Sequence, residues 1–274
     1  MINYWEVVEI KNEIIVMLIL IMVFVFSGVT LAVGSSEMVL VEAGTTSEDN
    51  GLITVENDFY IGKYHVTQSE FEEVMGFNPS GFNDEDHPNL KGNSENRPVE
   101  FMTWYDTIMY ANKLSIAEGF NEYYNISDIK YDGYRIIDAT VTENEGTNGY
   151  RLPTKYEHEY SMRGGKDGNI TTYSGSNDLN EVGWYWDNSY AADSSFQGTK
   201  RGTMPVGMKK ANELGLYDMS GNVWDWTNTS SGNDRIRRGG CWIYNAKDSV
   251  VDNYNTDAPS FSSGNIGFRL ARSP

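Results

Sequence analysis

Cysteine is almost absent from this sequence. The 274 residues include one, Cys241, and a single cysteine can form neither an intramolecular disulfide nor a catalytic pair of thiols. Basic residues are also few, because Lys and Arg number 21 against 39 Asp and Glu, giving a formal net charge of −18. Nucleic-acid binding draws on clustered cations, so this balance argues against a nucleic-acid partner.

The common catalytic motifs are missing as well. The sequence contains no glycine-rich phosphate loop, no G-x-S-x-G and no H-E-x-x-H. Its three histidines, His65, His87 and His158, share no metal-ligand spacing, which favours structural or surface roles. His158 stands between Glu157 and Glu159, a pattern that predicts a solvent-facing helix surface.

An apolar run near the N-terminus indicates export. The segment from Ile14 to Phe26 is too short to span a bilayer and has the length of a signal-peptide core. We therefore expect residues 1–36 to be a signal peptide or an N-terminal membrane anchor. Val29 stands where a bacterial lipoprotein would carry its lipidated cysteine, so lipid attachment is not supported. The expected location is the cell surface or outer envelope of a bacterium.

Three helices are indicated by their first residues. Each begins with a Thr that an acidic residue follows three positions later, as in a capping box. A glycine follows each stretch, as a left-handed helix exit favours. The three start positions are Thr67, Thr103 and Thr154. The glycines that follow them are Gly76, Gly119 and Gly164.

The remainder of the chain predicts short strands and long loops. Phe59–Ile61 and Tyr64–Val66 flank a Gly-Lys pair, which predicts a hairpin, and residues 121–148 are expected to be an insertion or irregular loop. No period of 20–50 residues recurs, which argues against a solenoid or a propeller. We predict one α+β domain over residues 37–274 with an unusually high loop content.

The stretch from Gly215 to Trp226 offers a cation site. Asp218 and Asp225 bracket a Gly-Asn turn, so two carboxylates and the carbonyls of the turn can converge on a hard cation such as calcium. The alternative is a turn closed by its own Asn side chain, with tryptophans packed beneath it. Spacing alone leaves both open.

This stretch resembles the signature of the formylglycine-generating-enzyme (sulfatase-modifying factor) family, whose fold is related to C-type lectins. Further segments match that family in the same order, and together they extend from about residue 38 to the end. The resemblance implies a structural calcium ion bound by Asp218 and Asp225 and by the carbonyls of Gly221 and Val223. The other matching segments are residues 59–76, 97–114, 150–163, 204–207, 238–240 and 266–269.

The departure from the family concerns its chemistry. Enzymes of this family activate oxygen with copper and two cysteines in the segment after R-G-G. Following Arg238-Gly239-Gly240, those positions hold Tyr244 and Ser249, while Cys241 stands where the family usually carries Ser. The resemblance therefore implies the framework of the enzyme without its two thiols, so that we expect neither copper nor catalysis.

The C-terminal segment resembles a second group, the variable proteins diversified by retroelements, including treponemal variable surface proteins. A W-x-x-N-A motif and I-G-F-R bracket it, and most of its residues are reachable from the Asn codon AAC by adenine changes. Lys247 is not, which places it outside the variable set or weakens the idea. We predict a variable ligand-binding segment over residues 241–265, with its core support in Trp224, Trp226, Trp242 and Phe268. The predicted contact residues are Ile243, Tyr244, Asn245, Asp248, Asn255, Thr256, Asp257, Ala258, Ser260, Phe261, Ser263, Gly264 and Asn265.

These observations favour a non-catalytic, surface-exposed binding protein. Tyr and Phe supply contact area at low entropic cost, and Ser, Asn, Thr and Asp supply adaptable hydrogen bonds. The expected partner is a protein or a glycan at the cell surface, and membrane attachment through the N-terminal segment stays open. The alternatives are an oxidase-type enzyme with a non-standard active site and a purely structural envelope domain.

Overall fold

The computed structural model of the protein describes residues 37–274 except 49–50, 86–89, 91–92 and 192–199. The N-terminal segment 1–36 and His87 therefore lie outside the described residues. Within the described part, no helix is long and apolar enough to cross a membrane. The helices are α1 Gln68–Met75, α2 Trp104–Ala117, α3 Lys155–Met162 and α4 Leu179–Val182. The strands are β1 Met38–Val41, β2 Gly44–Glu48, β3 Gly51–Val55, β4 Phe59–Gly62, β5 Tyr124–Asp132, β6 Arg135–Glu143, β7 Trp224–Ser231, β8 Asp234–Arg238, β9 Tyr254–Asp257, β10 Ile266–Gly267 and β11 Ala271–Arg272.

One small sheet joins the two ends of the domain. Its strand order is β1-β4-β11, and both outer strands run antiparallel to β4. Alternation along β4 turns Phe59 and Ile61 inward, where they pack with Val41 and Ala271 in the same buried cluster. The C-terminal strand is thus fixed against the beginning of the domain.

A second sheet carries the segment after Arg238. Its order is β10-β7-β8-β9, in which β10 runs parallel to β7 and the other pairs are antiparallel. The core support predicted from the sequence is confirmed, because Trp224, Trp226, Trp242 and Phe268 are all buried. The C-terminal segment therefore returns twice to this sheet, once as β9 and once as β10.

The three predicted helix starts are confirmed. Thr67, Thr103 and Thr154 each accept a hydrogen bond from the backbone of the acidic residue three positions later, whose carboxylate in turn accepts from the Thr backbone. Gly76 ends α1 in the left-handed conformation, with φ of 84°. In α2 and α3 the C-caps Glu118 and Arg163 are followed by Gly119 and Gly164, which adopt the predicted left-handed conformation with φ of 80° and 81°.

Two local predictions are wrong. Tyr64–Val66 does not fold back on β4, because Val66 N–H donates instead to the carbonyl of Phe268 at 2.9 Å. Residues 121–148 are not irregular either: most of them form the antiparallel hairpin β5–β6, with register shifts between Ser127 and Tyr131. Alternation along this hairpin is weak because it is exposed on much of its length, which is why the sequence pattern did not indicate strands.

Loops dominate the stretch between α3 and β7, where α4 is the longest regular element described. The predicted α+β class with a high loop content is confirmed. These loops bring Gly221 against Trp184, since a Cβ added to Gly221 would lie 2.4 Å from the Trp184 carbonyl oxygen. A positive φ of 87° and this close approach both require glycine at the turn before β7.

Candidate functional site

A buried group of charges lies at the beginning of β7. Arg269 Nε donates to Asp225 Oδ2 at 2.7 Å, and His158 Nε2 lies 2.8 Å from the same oxygen. His65 Nε2 is 3.5 Å from Asp225 Oδ1. Burial raises the pKa of the Asp225 carboxyl, but Arg269 and the two imidazoles outweigh it and hold this pKa below its usual range.

The solvent-facing position predicted for His158 is wrong. Its side chain is fully buried, and burial lowers the pKa of its imidazole. The flanking acids do not mark a solvated surface, because Glu157 pairs with Arg151 at 2.6 Å and Glu159 pairs with Arg238 at 2.6 Å. The two glutamates that flank His158 form ion pairs with Arg151 and Arg238, which their spacing in the sequence does not reveal.

The predicted calcium ligands are engaged with the protein. Asp225 has Arg269 as its counter-charge, and Asp218 Oδ2 accepts from Gly207 N–H at 2.7 Å. Burial raises the pKa of Asp218 to about 6, so this carboxyl holds its proton more readily than an exposed aspartate. The Val223 side chain packs in a buried apolar cluster with Phe82 and Trp242. Gly221 is the turn glycine described above.

Two buried oxygens in this arrangement have no hydrogen-bond partner, Oδ1 of Asp218 and Oδ1 of Asp225. Free carboxylate oxygens suit a calcium ion, whereas the guanidinium of Arg269 already neutralises one of the two carboxylates. Among the described residues, no three His, Cys, Asp or Glu side chains are grouped as metal ligands. Calcium therefore stays a prediction from the sequence spacing and the resemblance.

The two positions where the resemblance places the family's reactive cysteines, Tyr244 and Ser249, lie in different environments. Tyr244 is partly exposed, with its ring centroid 6.2 Å from that of Trp224. Ser249 is fully buried, and a Cβ on Gly240 would lie 2.2 Å from its hydroxyl oxygen. Cys241 is buried beside the Asn265 amide, and burial raises the pKa of its thiol to about 11. Such a thiol is protonated at neutral pH and is a poor nucleophile.

The thirteen predicted contact residues all reach the surface of the described structure. None is buried, and seven are exposed: Ile243, Tyr244, Asn245, Asn255, Ala258, Ser260 and Phe261. They lie on three pieces of backbone: the loop and short 3-10 turn between β8 and β9, the strand β9, and the loop from β9 to β10. The structure thus places all of them on the accessible part of one C-terminal segment.

Backbone hydrogen bonds hold that segment in place. Trp104 N–H donates to the carbonyl of Pro259 at 3.0 Å, and Trp224 N–H donates to that of Asn265 at 2.9 Å. The Trp242 indole donates to the carbonyl of Gly264 at 2.8 Å. These contacts use main-chain acceptors, so they fix the loop while leaving most of its side chains unused.

Three residues near Tyr244 were missed by the sequence analysis: the exposed Trp186 and Tyr190 and the half-buried Arg201. The Arg201 guanidinium lies 4.1 Å from the ring centroid of Trp186 and 4.4 Å from that of Tyr190. Trp186 N–H donates to the Tyr244 carbonyl at 2.9 Å, which joins this cluster to the C-terminal segment. We call these three residues and the thirteen predicted contact residues the recognition face. The high aromatic content of residues 173–207 was visible in the sequence, but without periodicity it did not indicate where these side chains lie in the fold.

Gly264 is expected to tolerate less change than its neighbours. A Cβ at this position would lie 2.9 Å from the Phe101 ring, and Phe101 itself has a left-handed φ of 64°. Gly264→Ala should lower the free energy of unfolding by about 1–3 kcal/mol through overpacking. The matched control, Ser260→Ala at an exposed position, should change it by less than about 0.5 kcal/mol. Urea unfolding of both variants measures this, and equal effects would contradict the assigned crowding at Gly264.

Chelation tests the calcium prediction. Because the predicted calcium ion would stabilise the folded chain, we expect EDTA to lower the melting temperature of the wild type, and an unchanged value would contradict the calcium prediction. Asp225→Ala should lower stability by about 3–5 kcal/mol with or without calcium, since it leaves Arg269 buried without its counter-charge. Differential scanning fluorimetry measures both. A wild-type melting temperature that falls with EDTA, recovers with calcium and is insensitive in Asp225→Ala would establish the calcium site.

Comparisons with known proteins agree with this geometry. The structure is similar to Treponema denticola variable protein 1, with a TM-score of 0.72 and 29% identity, covering 89% of this chain and 98% of that one. The sequence is 45% identical over 233 residues to the chaperone protein LppX of Paenibacillus barcinonensis, covering 76% of this chain and 79% of LppX. It is 33% identical over 135 residues to the mouse inactive C-alpha-formylglycine-generating enzyme 2, covering 46% of this chain and 44% of that protein.

One family model matches most of the chain. The sulfatase-modifying factor enzyme 1-like domain matches residues 29–274, which is most of the sequence and includes every element described above. The mixed α+β architecture fits the formylglycine-enzyme type of C-type-lectin-like fold. The chain therefore belongs to the sulfatase-modifying factor family, the family of the formylglycine-generating enzymes.

Proposed function

We propose that the protein is a non-catalytic binding protein that captures its ligand on the recognition face. The observation that supports this most directly is the position of the thirteen predicted contact residues, none of which is buried. Their backbone is fixed by Trp104, Trp224 and Trp242, which are themselves in the core. A rigid backbone with free side chains is what a binding surface of changing sequence requires.

The chemistry of the face suits recognition. Exposed Tyr244, Phe261, Trp186 and Tyr190 supply large rigid contact areas at low entropic cost. Asn, Ser and Thr side chains between them supply hydrogen bonds that adapt to different ligands. A protein or glycan at the cell surface remains the proposed partner, with export directed by residues 1–36. Diversification of residues 241–265 is part of this proposal.

An oxidase activity is the less favoured alternative. The family contains enzymes as well as a relative named inactive, so membership alone does not decide. The buried, protonated state of Cys241 disfavours thiolate chemistry at the position beside the two glycines. A copper site of two thiolates also cannot form within one chain that has a single cysteine.

Removing the aromatic contacts should abolish binding without unfolding the protein. Peptides and glycans that the wild type selects from a displayed random library and a glycan array would serve as probes. Replacing Tyr244 and Phe261 together by Ser should weaken the selected interaction at least tenfold, which corresponds to about 1.4 kcal/mol. The melting temperature should fall by less than about 4 °C. Interferometry and scanning fluorimetry measure the two effects.

The matched control replaces two exposed apolar side chains outside the face. Leu52 and Ile170 are 71% and 79% exposed, and their double Ser variant should bind as the wild type does. Loss of binding in this control, or failure of the wild type to select any probe, would count against the recognition face.

A chaperone role is the second candidate, and a specific observation favours it. LppX is named a chaperone protein and shares 45% identity with this chain over most of both sequences. Exposed aromatic and aliphatic side chains on the recognition face could hold apolar segments of an unfolded client. Under this proposal the partner is an incompletely folded exported protein rather than one defined epitope.

Light scattering separates the two functions. Reduced, denatured lysozyme is a suitable client because its aggregation is easily followed. A chaperone should suppress this aggregation at about equimolar concentration, and the Tyr244→Ser, Phe261→Ser variant should lose most of that effect. Undiminished aggregation in the presence of the wild type, together with selection of defined probes, would exclude the general chaperone role.

A further inference from the structure

A short cationic row on β8 lies beside the recognition face. Arg235 and Arg237 are two residues apart on β8, so their side chains share one face of the sheet. The register pairs Arg235 with Asp257 and Arg237 with Asn255, which places two contact residues on that same face. Two guanidiniums thus stand beside a single carboxylate, that of Asp257.

The carboxylate is directed at one of the two cations. Arg237 Nε lies 2.7 Å from Asp257 Oδ2, and their side chains are 5% and 25% exposed. Arg235 is occupied elsewhere, because its Nη1 donates to the Asn228 carbonyl at 2.9 Å and its guanidinium stacks on Trp104 at 3.7 Å. Asp257 is therefore the counter-charge of Arg237.

A series of contacts links Arg237 to the aromatic part of the recognition face. Its guanidinium lies 5.0 Å from the ring centroid of Trp224, which in turn contacts Tyr244. Trp186 and Arg201 extend the same series of contacts. A change in the net charge around Arg237 therefore changes the electrostatic potential beside the aromatic groups that supply most of the contact area.

We propose that residue 257 determines the charge of the ligands that the face accepts: Asp257 masks Arg237, and a neutral residue there turns the face toward acidic polypeptide segments. The inference rests on the proposed recognition function. In the present sequence the masked pair favours ligands bound through aromatic and hydrogen-bonding contacts. Asn at position 257 has nearly the shape of Asp but no charge, so it leaves Arg237 without its counter-charge. Because Nε and Nη1 of Arg237 are buried, its uncompensated charge attracts the carboxylates of a ligand through its electrostatic field rather than through direct hydrogen bonds.

A substitution at Asn255 can make the opposite change in charge, adding a carboxylate instead of removing one. Asn255 is exposed and directly opposite Arg237 in the strand register, and no buried ion pair depends on it. Asn255→Asp would add a second carboxylate beside Arg237. Codons for Asn and Asp differ by a single adenine change, so both positions are open to the diversification proposed for this segment.

Selection from a displayed random peptide library tests the proposal. The wild type, Asp257→Asn, Asn255→Asp and the double variant Arg237→Gln, Asp257→Asn would each be panned, after scanning fluorimetry confirms that each is folded. We expect Asp and Glu to be enriched in the peptides selected by Asp257→Asn, with about threefold tighter binding than to their Gln and Asn counterparts at low salt. The double variant should lose this preference.

The outcomes separate the two proposals. If no variant enriches any peptide, recognition of polypeptides fails and this inference fails with it. If peptides are enriched but their acidic content is the same for the wild type and Asp257→Asn, the proposed function stands and residue 257 does not set charge preference. If Asp257→Asn does not fold, Asn255→Asp decides: it should select fewer acidic residues than the wild type, and an unchanged acidic content would overturn the proposal.

Discussion

The buried Arg269–Asp225 ion pair connects β4, the loop before β7 and β7 itself, which support the rest of the domain. Beyond its 2.7 Å contact with Asp225, Arg269 donates to the carbonyl of Gly62 at 3.0 Å and to that of Tyr217 at 3.1 Å. One side chain therefore ties the end of β4, the loop before β7 and β7 itself. Breaking a buried pair of this kind costs far more than an exposed one, because the remaining charge is left without solvation.

The recognition face depends on this pair through β7. Trp224 precedes Asp225 on that strand, and its backbone N–H holds the Asn265 carbonyl at the end of the C-terminal loop. The next strand, β8, presents Arg237 and accepts β9 as its outer neighbour. Side chains at the surface can change while this support is kept, since the fixed contacts are made by main-chain atoms and buried tryptophans. The atoms that hold the segment are thus largely distinct from the exposed side chains that are proposed to bind the ligand.

Features set by local chemistry could be predicted from the sequence. The caps at Thr67, Thr103 and Thr154 depend on residues three positions apart, and the buried tryptophans follow from apolar size. The burial of His158 could not be predicted, because Arg238 and Asp225, which neutralise its surroundings, are far away in the chain. The cluster of Trp186, Tyr190 and Arg201 was missed for the same reason: its place beside Tyr244 is a tertiary contact.

The contact positions are also not equivalent, which sequence alone could not show. Phe261 and Ser260 extend into solvent, whereas Gly264 is packed against the Phe101 ring and the Asp257 carboxylate is bound to Arg237. A diversifying process that altered all of them equally would remove a tight packing contact at one position and unmask a cation at another. Exchange at exposed positions changes contacts alone, while exchange at Asp257 changes charge and stability together. If the face binds ligands as proposed, their range is therefore limited by its framework as well as by the side chains proposed to vary.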